Sequence, residues 1–175
     1  MNNNIEIVDN FLEQEEFDKL QTLIMTANKF PWFYLDGIDY KKDIDKFQFY
    51  HTFYDNSAPC SSFMEQLHSI LNLVDPISIL RIKANLLTRT PNIVENTFHV
   101  DIASWKFSSE IIKQCTTSIF YMNTNNGYTK FEDGTKVESV ANRMVTFPAN
   151  MKHRGTSCTD EKVRVVINFN YFSSK

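Results

Sequence analysis

The chain has no cysteine pair close enough in sequence to form a zinc knuckle or a redox couple. Its three cysteines, Cys60, Cys115 and Cys158, are odd in number and widely spaced, as in a reduced intracellular protein rather than a disulfide scaffold. Positive charge is not in excess either. Eighteen Lys and Arg against 21 Asp and Glu leave a formal net charge of −3, so the bulk composition lacks the basic footprint of a nucleic-acid binder. No apolar run approaches the roughly 18 residues that suggest a membrane span. The opening Met1-Asn2-Asn3-Asn4-Ile5-Glu6 has neither the basic nor the apolar region of a secretory signal. No internal repeat and no Pro- or Ser-rich linker divides the chain. These absences lead to the expectation of one soluble, cytoplasmic domain over residues 1–175. Abundant Asn, Ile, Lys and Phe are compatible with an AT-rich bacterial or viral genome. What the chain does have is apolar mass: 42% hydrophobic and 14% aromatic residues, with 15 Phe among 175, exclude disorder and suffice for a substantial core.

The order of patterns predicts a mainly β chain with flanking helices. Ile5 to Val8 reads as a short strand. Phe17, Leu20, Ile24 and Ala27 recur at helical spacing, predicting a helix over 13–28. Pro31-Trp32-Phe33-Tyr34-Leu35 reads first as core packing, with the lip of a cleft as the alternative. Residues 36–45 are charged and turn-like, and 47–54 are aromatic and β-branched enough for a strand. Ser62 and Glu65 match a capping box, followed by a helix with Phe63, Leu67, Ile70 and Leu71 on its apolar face and Asp75-Pro76 at its end. From Ile77 onward strands predominate: 77–87, 115–122, 136–140, 144–147 and 163–172, separated by Asn, Gly, Asp and Pro clusters. The expected architecture is a double-stranded β-helix, or jelly roll, over about 77–175, with helical support over about 1–76 and two helices packed outside.

The chemistry-bearing residues sit in the β-rich half. In a strand, residues i and i+2 share a face, so His99 and Asp101 can present an imidazole and a carboxylate to one ion. His153 follows the turn Phe147-Pro148-Ala149-Asn150, and the 52 positions separating it from Asp101 leave room for about four strands. Singly, each is an ordinary residue: a hydrogen-bonded strand histidine, a turn aspartate, a solvated loop histidine. Together they make the two-histidine, one-carboxylate set of a non-haem Fe(II) oxygenase. Arg164 opens the strand Arg164-Val165-Val166-Ile167-Asn168-Phe169-Asn170. Alternation sets Arg164, Val166, Asn168 and Asn170 on one face and Val165, Ile167 and Phe169 on the other. A basic residue inside a barrel calls for an anion, and the planar guanidinium suits a carboxylate.

These motifs resemble the iron- and 2-oxoglutarate-dependent dioxygenases, most closely their prolyl-4-hydroxylase-like branch. The resemblance rests on His99-Val100-Asp101, Thr117 to Asn123, Asn126-Gly127-Tyr128-Thr129-Lys130-Phe131, Phe147-Pro148 with His153-Arg154-Gly155, and Arg164 with its alternating strand. It implies that His99, Asp101 and His153 hold Fe(II), and that Arg164 pairs with the distal carboxylate of 2-oxoglutarate. It further implies that the Tyr121 hydroxyl shares that carboxylate and that Asn85 lies on a strand lining the co-substrate pocket. The implied reaction uses O2 to hydroxylate an unactivated C–H bond, releasing succinate and CO2, with ascorbate as a supporting reductant. Departures lie before the H-x-D segment, where Leu87-Thr88-Arg89-Thr90-Pro91-Asn92 replaces an aromatic–glycine pattern. Another falls at Asn170, where the family carries tryptophan. Arg89 stands where it could meet an acidic substrate. These departures touch the peptidyl-proline substrate more than the iron chemistry. Candidate substrates are a protein prolyl or other side chain, a small metabolite or a nucleobase, the last disfavoured by the lack of a basic composition. A non-catalytic jelly-roll binding module and a zinc hydrolase are the competing classes, and Arg164 argues against both.

Overall fold

The computed structural model describes residues 5–26, 28–38, 46–102 and 108–173. The order of elements is β1 (Glu6–Val8), α1 (Gln14–Gln21), β2 (Phe33–Asp36), β3 (Phe47–Asp55), β4 (Ala58–Pro59), α2 (His68–Val74), β5 (Pro76–Thr88) and α3 (Ser109–Ile112). Six strands follow: β6 (Cys115–Tyr121), β7 (Tyr128–Phe131), β8 (Lys136–Glu138), β9 (Arg143–Pro148), β10 (His153–Gly155) and β11 (Val163–Ser173). An antiparallel sheet runs β1-β9-β6-β11-β5-β3-β2, with β4 paired to β3, and a three-stranded sheet runs β10-β7-β8. This is a jelly-roll core with helices outside, as the alternation of short strands implied. Four strands lie between Asp101 and His153, the number the spacing allowed.

The two faces of β11 divide the interior. Val165, Ile167 and Phe169 join Phe17, Leu20 and Ile24 of the N-terminal helix and Leu67 and Ile70 of the second helical segment in one apolar cluster. Val166 instead packs with Ile119, Tyr121, Phe131, Val137, Val145 and Phe147 between the two sheets. The inward face therefore bears Arg164, Val166, Asn168 and Asn170, which are all buried. No described helix is long and apolar enough to cross a membrane.

Local departures have local causes. The first helix is α only to Gln21 and continues as a π-helical turn over Thr22–Thr26, where the Thr26 hydroxyl donates to the Thr22 carbonyl at 2.8 Å. Ala27 lies outside the described residues. The capping box at Ser62 does not form. A 3₁₀ turn, Met64–Leu67, precedes α2, and it is the neighbouring Ser61 hydroxyl that accepts the Phe63 N–H at 3.0 Å. Asp75 ends α2 in the left-handed region (φ 48°) and Pro76 starts β5, as Asp-Pro suggested. Phe33, Tyr34 and Leu35 form the exposed edge strand β2, with Phe33 52% and Tyr34 58% exposed, so core packing is wrong for them. Buried Phe30 takes that role beside Trp32, at a centroid distance of 5.2 Å. Of the expected 36–45 loop, residues 39–45 lie outside the described residues.

Candidate metal and anion site

His99 and His153 are direct cross-strand neighbours. Each backbone N–H donates to the other's carbonyl, at 2.9 and 3.0 Å, and His153 begins β10. His99 belongs to an isolated bridge and Asp101 to a bend, so the same-face strand argument does not describe how they meet. The bridge to β10 and the bend after it do. Asp101 Oδ1 lies 3.7 Å from His99 Nε2 and 3.8 Å from His153 Nε2, and one ligand atom from each of the three residues falls within 4.8 Å of the others. His99 Nδ1 faces the Thr97 carbonyl at 3.0 Å and His153 Nδ1 the Met151 carbonyl at 3.2 Å. A carbonyl only accepts, so each Nδ1 carries the hydrogen and each Nε2 lone pair is directed at the shared point. Phe147 packs 4.9 Å from the His153 ring, forming an apolar wall.

The Asp101 side chain is buried, only 4% exposed. Burial alone would raise its carboxyl, but the surrounding His99, His153 and Arg81 side chains outweigh it and hold the group far below the usual carboxylate range. Three further side chains surround it. Asn168 Nδ2 donates to Oδ2 at 3.2 Å and reaches Oδ1 at 3.4 Å, Asn170 Nδ2 donates to Oδ2 at 3.2 Å, and Arg81 Nη2 donates to the Asp101 main-chain carbonyl at 2.9 Å. The segment leading to His99 is fixed from the other side. Glu95 accepts from Tyr128 Oη at 2.8 Å and Lys130 Nζ at 3.2 Å and pairs with Arg154.

Arg164 is 3% exposed, yet no carboxylate pairs with it among the described residues. Its Nε donates to Ser139 Oγ at 2.8 Å and its Nη2 to Thr129 Oγ1 at 3.2 Å, and Tyr121 Oη donates to that same Thr129 oxygen at 2.8 Å. The guanidinium carbon lies 5.6 Å from the Tyr121 ring centroid. Burial pulls Arg164 below its ordinary value and raises the Tyr121 phenol. Glycines make the room. A Cβ on Gly127 would lie 2.7 Å from Arg164 Cδ and 2.8 Å from the Ser157 main-chain oxygen, and one on Gly155 would lie 3.3 Å from Arg164 Nη1. This is a cradle around a cation that no carboxylate among the described residues compensates, and a carboxylate is the group that suits it.

Arg164 and Tyr121 thus meet through Thr129, which was visible in the sequence only as part of the segment from Asn126 to Phe131. Asn85 shares the inward face, opposite Val166 and Tyr50, but makes no side-chain hydrogen bond among the described residues. Arg89 is exposed. Ser139 and Arg81 were missed. Alternation along β5 could have found Arg81, because Arg81, Lys83 and Asn85 pair with Asn170, Asn168 and Val166 on the inward face.

No family model matches the sequence, and no curated protein matches it. Solved structures do. A prolyl hydroxylase from Trichoplax adhaerens, in complex with a peptide fragment of the hypoxia inducible factor oxygen degradation domain, is 13% identical, with a TM-score of 0.64 over 98% of this chain and 84% of that one. The non-haem α-ketoglutarate-dependent epimerase SnoN from nogalamycin biosynthesis is 12% identical, with a TM-score of 0.68 over 98% and 79%. A Pseudomonas putida prolyl-4-hydroxylase is 12% identical, with a TM-score of 0.56 over 99% and 94%. A histidine–aspartate–histidine cluster and a buried arginine without a carboxylate partner among the described residues therefore sit inside a jelly roll whose fold is that of the 2-oxoglutarate- and Fe(II)-dependent oxygenases, prolyl hydroxylases among them.

Proposed function

We propose that this chain, as a single domain over 1–175, is a 2-oxoglutarate-dependent dioxygenase that hydroxylates an unactivated C–H bond. The observation that carries the reading is Arg164: a buried guanidinium with no carboxylate partner among the described residues, in a glycine-made cradle, on the strand face that also bears the Asp101 partners Asn168 and Asn170. A hydrolytic zinc site or a bare metal-binding module has no need of that cation.

The donor set of two imidazoles and one carboxylate suits Fe(II), with His99, Asp101 and His153 as its ligands. Arg164, with the Thr129 and Tyr121 hydroxyls beside it, would take the distal carboxylate of 2-oxoglutarate. When bound, iron and 2-oxoglutarate supply the oxidising power, one O2 giving hydroxylated product, succinate and CO2. The chain's own contribution is to orient and to exclude water. The Nδ1 hydrogen bonds fix both imidazoles, Arg164 sets the direction of the co-substrate, and Phe131 and Phe147 keep the inter-sheet space apolar.

For the substrate we propose a peptide side chain. The three-stranded sheet packs over β6, β9 and β11, whereas the inward faces of β5, β3 and β2 are more open, along the row Phe33, Tyr50, Asn85. Such a ledge accepts an extended segment, and the Trichoplax prolyl hydroxylase is itself in complex with a peptide. A small-molecule substrate is the second reading, favoured by the likeness to SnoN. The test is succinate formation from 2-oxoglutarate with Fe(II) and ascorbate under air, with His153→Ala and Arg164→Ala as inactive controls. Mass spectrometry for a one-oxygen gain, on peptide mixtures and on metabolite extracts, decides between the substrates. No 2-oxoglutarate consumption with either, and no 2-oxoglutarate binding, would overturn the proposal.

A further inference from the structure

Asn170 is buried on the inward face of β11, and its side chain points at the carboxylate of the metal cluster. The two oxygens of Asp101 are not equivalent. Oδ2 takes the shorter amide bonds, from Asn168 and Asn170 at 3.2 Å each. Among the described residues, Oδ1 takes the longer 3.4 Å Asn168 contact and faces both imidazole Nε2 atoms and Arg81 Nη2. Asn170 Nδ2 also donates to Thr117 Oγ1 at 3.0 Å, which locks its rotamer. Both asparagines direct nitrogen toward the carboxylate while their buried Oδ1 atoms have no hydrogen-bond partner among the described residues. Unpaired buried acceptors are costly and rare in folded proteins. Here the Asp101 carboxylate sets the amide orientation, because the flipped amides would turn oxygen against it. Arg81, cross-strand from Asn170, adds a hold on the main chain of the same residue.

Resting on the metal site proposed above, we propose that Asn168, Asn170 and Arg81 are positioning residues that tie down Oδ2 and the main chain of Asp101, so that this aspartate ligates through Oδ1 alone. A carboxylate free to swing would occupy two positions on the ion and remove one that the co-substrate or O2 needs.

The experiment uses metal-free protein and Mn(II) or Co(II) as the probe, without 2-oxoglutarate. Asn170→Leu, and separately Asn168→Leu, remove a donor at nearly constant volume. The expected result is Mn(II) binding weakened on the order of 10- to 100-fold, the usual consequence of removing a hydrogen-bond partner of a metal ligand. The Co(II) ligand-field spectrum of the bound fraction should also change, which a merely structural role would not produce. Should the leucine variants fail to fold by circular dichroism, Arg81→Met, at a side chain 33% exposed, carries the same expectation. Folded variants with Mn(II) affinity within about twofold of the parent and an unchanged Co(II) spectrum would overturn the clamp and leave the metal site standing. Parent protein that takes up neither ion overturns both, and that is read before any variant is made.

Discussion

Replacing Arg164 by methionine separates the ligand-binding role of the guanidinium from any structural one. The arginine gives two charge-assisted hydrogen bonds, to Ser139 at 2.8 Å and Thr129 at 3.2 Å, each contributing about 1.5–3 kcal/mol. Against them stands the desolvation of a buried charge with no carboxylate, several kcal/mol after relaxation. Methionine fills much of the same volume. Thr129 keeps the Tyr121 hydroxyl as a donor, and the Ser139 hydroxyl is free to rotate toward another partner. The terms offset, so the ligand-free variant is expected within about 2 kcal/mol of the parent. The ligand-bound comparison is not balanced. At 100 times its dissociation constant, 2-oxoglutarate stabilises the parent by about 2.7 kcal/mol. For a chain of this size that is a rise in Tm of roughly 5–10 °C. In Arg164→Met the rise should vanish, while the metal-induced rise persists. The assay is a thermal melt of metal-loaded protein with and without 2-oxoglutarate. A variant that loses more than about 4 kcal/mol without ligand yet keeps the 2-oxoglutarate shift would make Arg164 structural and refute the reasoning.

Other expectations follow from the same contacts. Tyr121→Phe removes one hydrogen bond beside the cradle, worth about 1 kcal/mol, so 2-oxoglutarate affinity should drop roughly fivefold by calorimetry with metal affinity unchanged. Gly127→Ala forces a methyl against Arg164 and the Ser157 carbonyl and should cost about 1–3 kcal/mol in a urea titration and weaken 2-oxoglutarate binding in parallel. His51 is buried, with Nδ1 donating to the Pro31 carbonyl and Nε2 accepting from Ser61, both at 2.8 Å, and burial holds its imidazole below the ordinary value. Its contribution to stability is therefore complete above about pH 6.5 and is lost as the pH falls through the native value, because the unfolded chain binds that proton more readily. His51→Gln should flatten the fall of the urea midpoint between about pH 7.5 and 5. An equally steep fall in the variant would assign the acid sensitivity elsewhere.

What could be read from the chain in advance was what periodicity encodes. The alternation from Arg164 to Asn170 gave the correct inward face because a strand's side chains repeat every two residues, and Val165, Ile167 and Phe169 do pack on the helices. The spacing from Asp101 to His153 allowed the right number of strands. Contacts between distant segments were not encoded that way. Arg81 at the Asp101 carbonyl, Ser139 at Arg164 and Glu95 between Lys130 and Arg154 exist only once the strands are in register. Composition also misled at the edges: Phe33 and Tyr34 look like core residues, yet they lie on an edge strand and are more than half exposed. His99 and Asp101 met for a reason other than the one expected. A backbone bridge to His153, not a shared strand, brings them together, and no residue pattern marks an isolated bridge.

In the proposed enzyme one metal and one 2-oxoglutarate share this site, held by different residues. Anaerobic calorimetric titration of 2-oxoglutarate into Fe(II)-loaded and metal-free protein tests it most directly. The account predicts one 2-oxoglutarate per chain only when Fe(II) is present, loss of Fe(II) binding in His99→Ala and His153→Ala, and loss of 2-oxoglutarate but not Fe(II) in Arg164→Met. Fe(II)-loaded parent protein that binds no 2-oxoglutarate, or Arg164→Met binding it as tightly as the parent, would contradict the account.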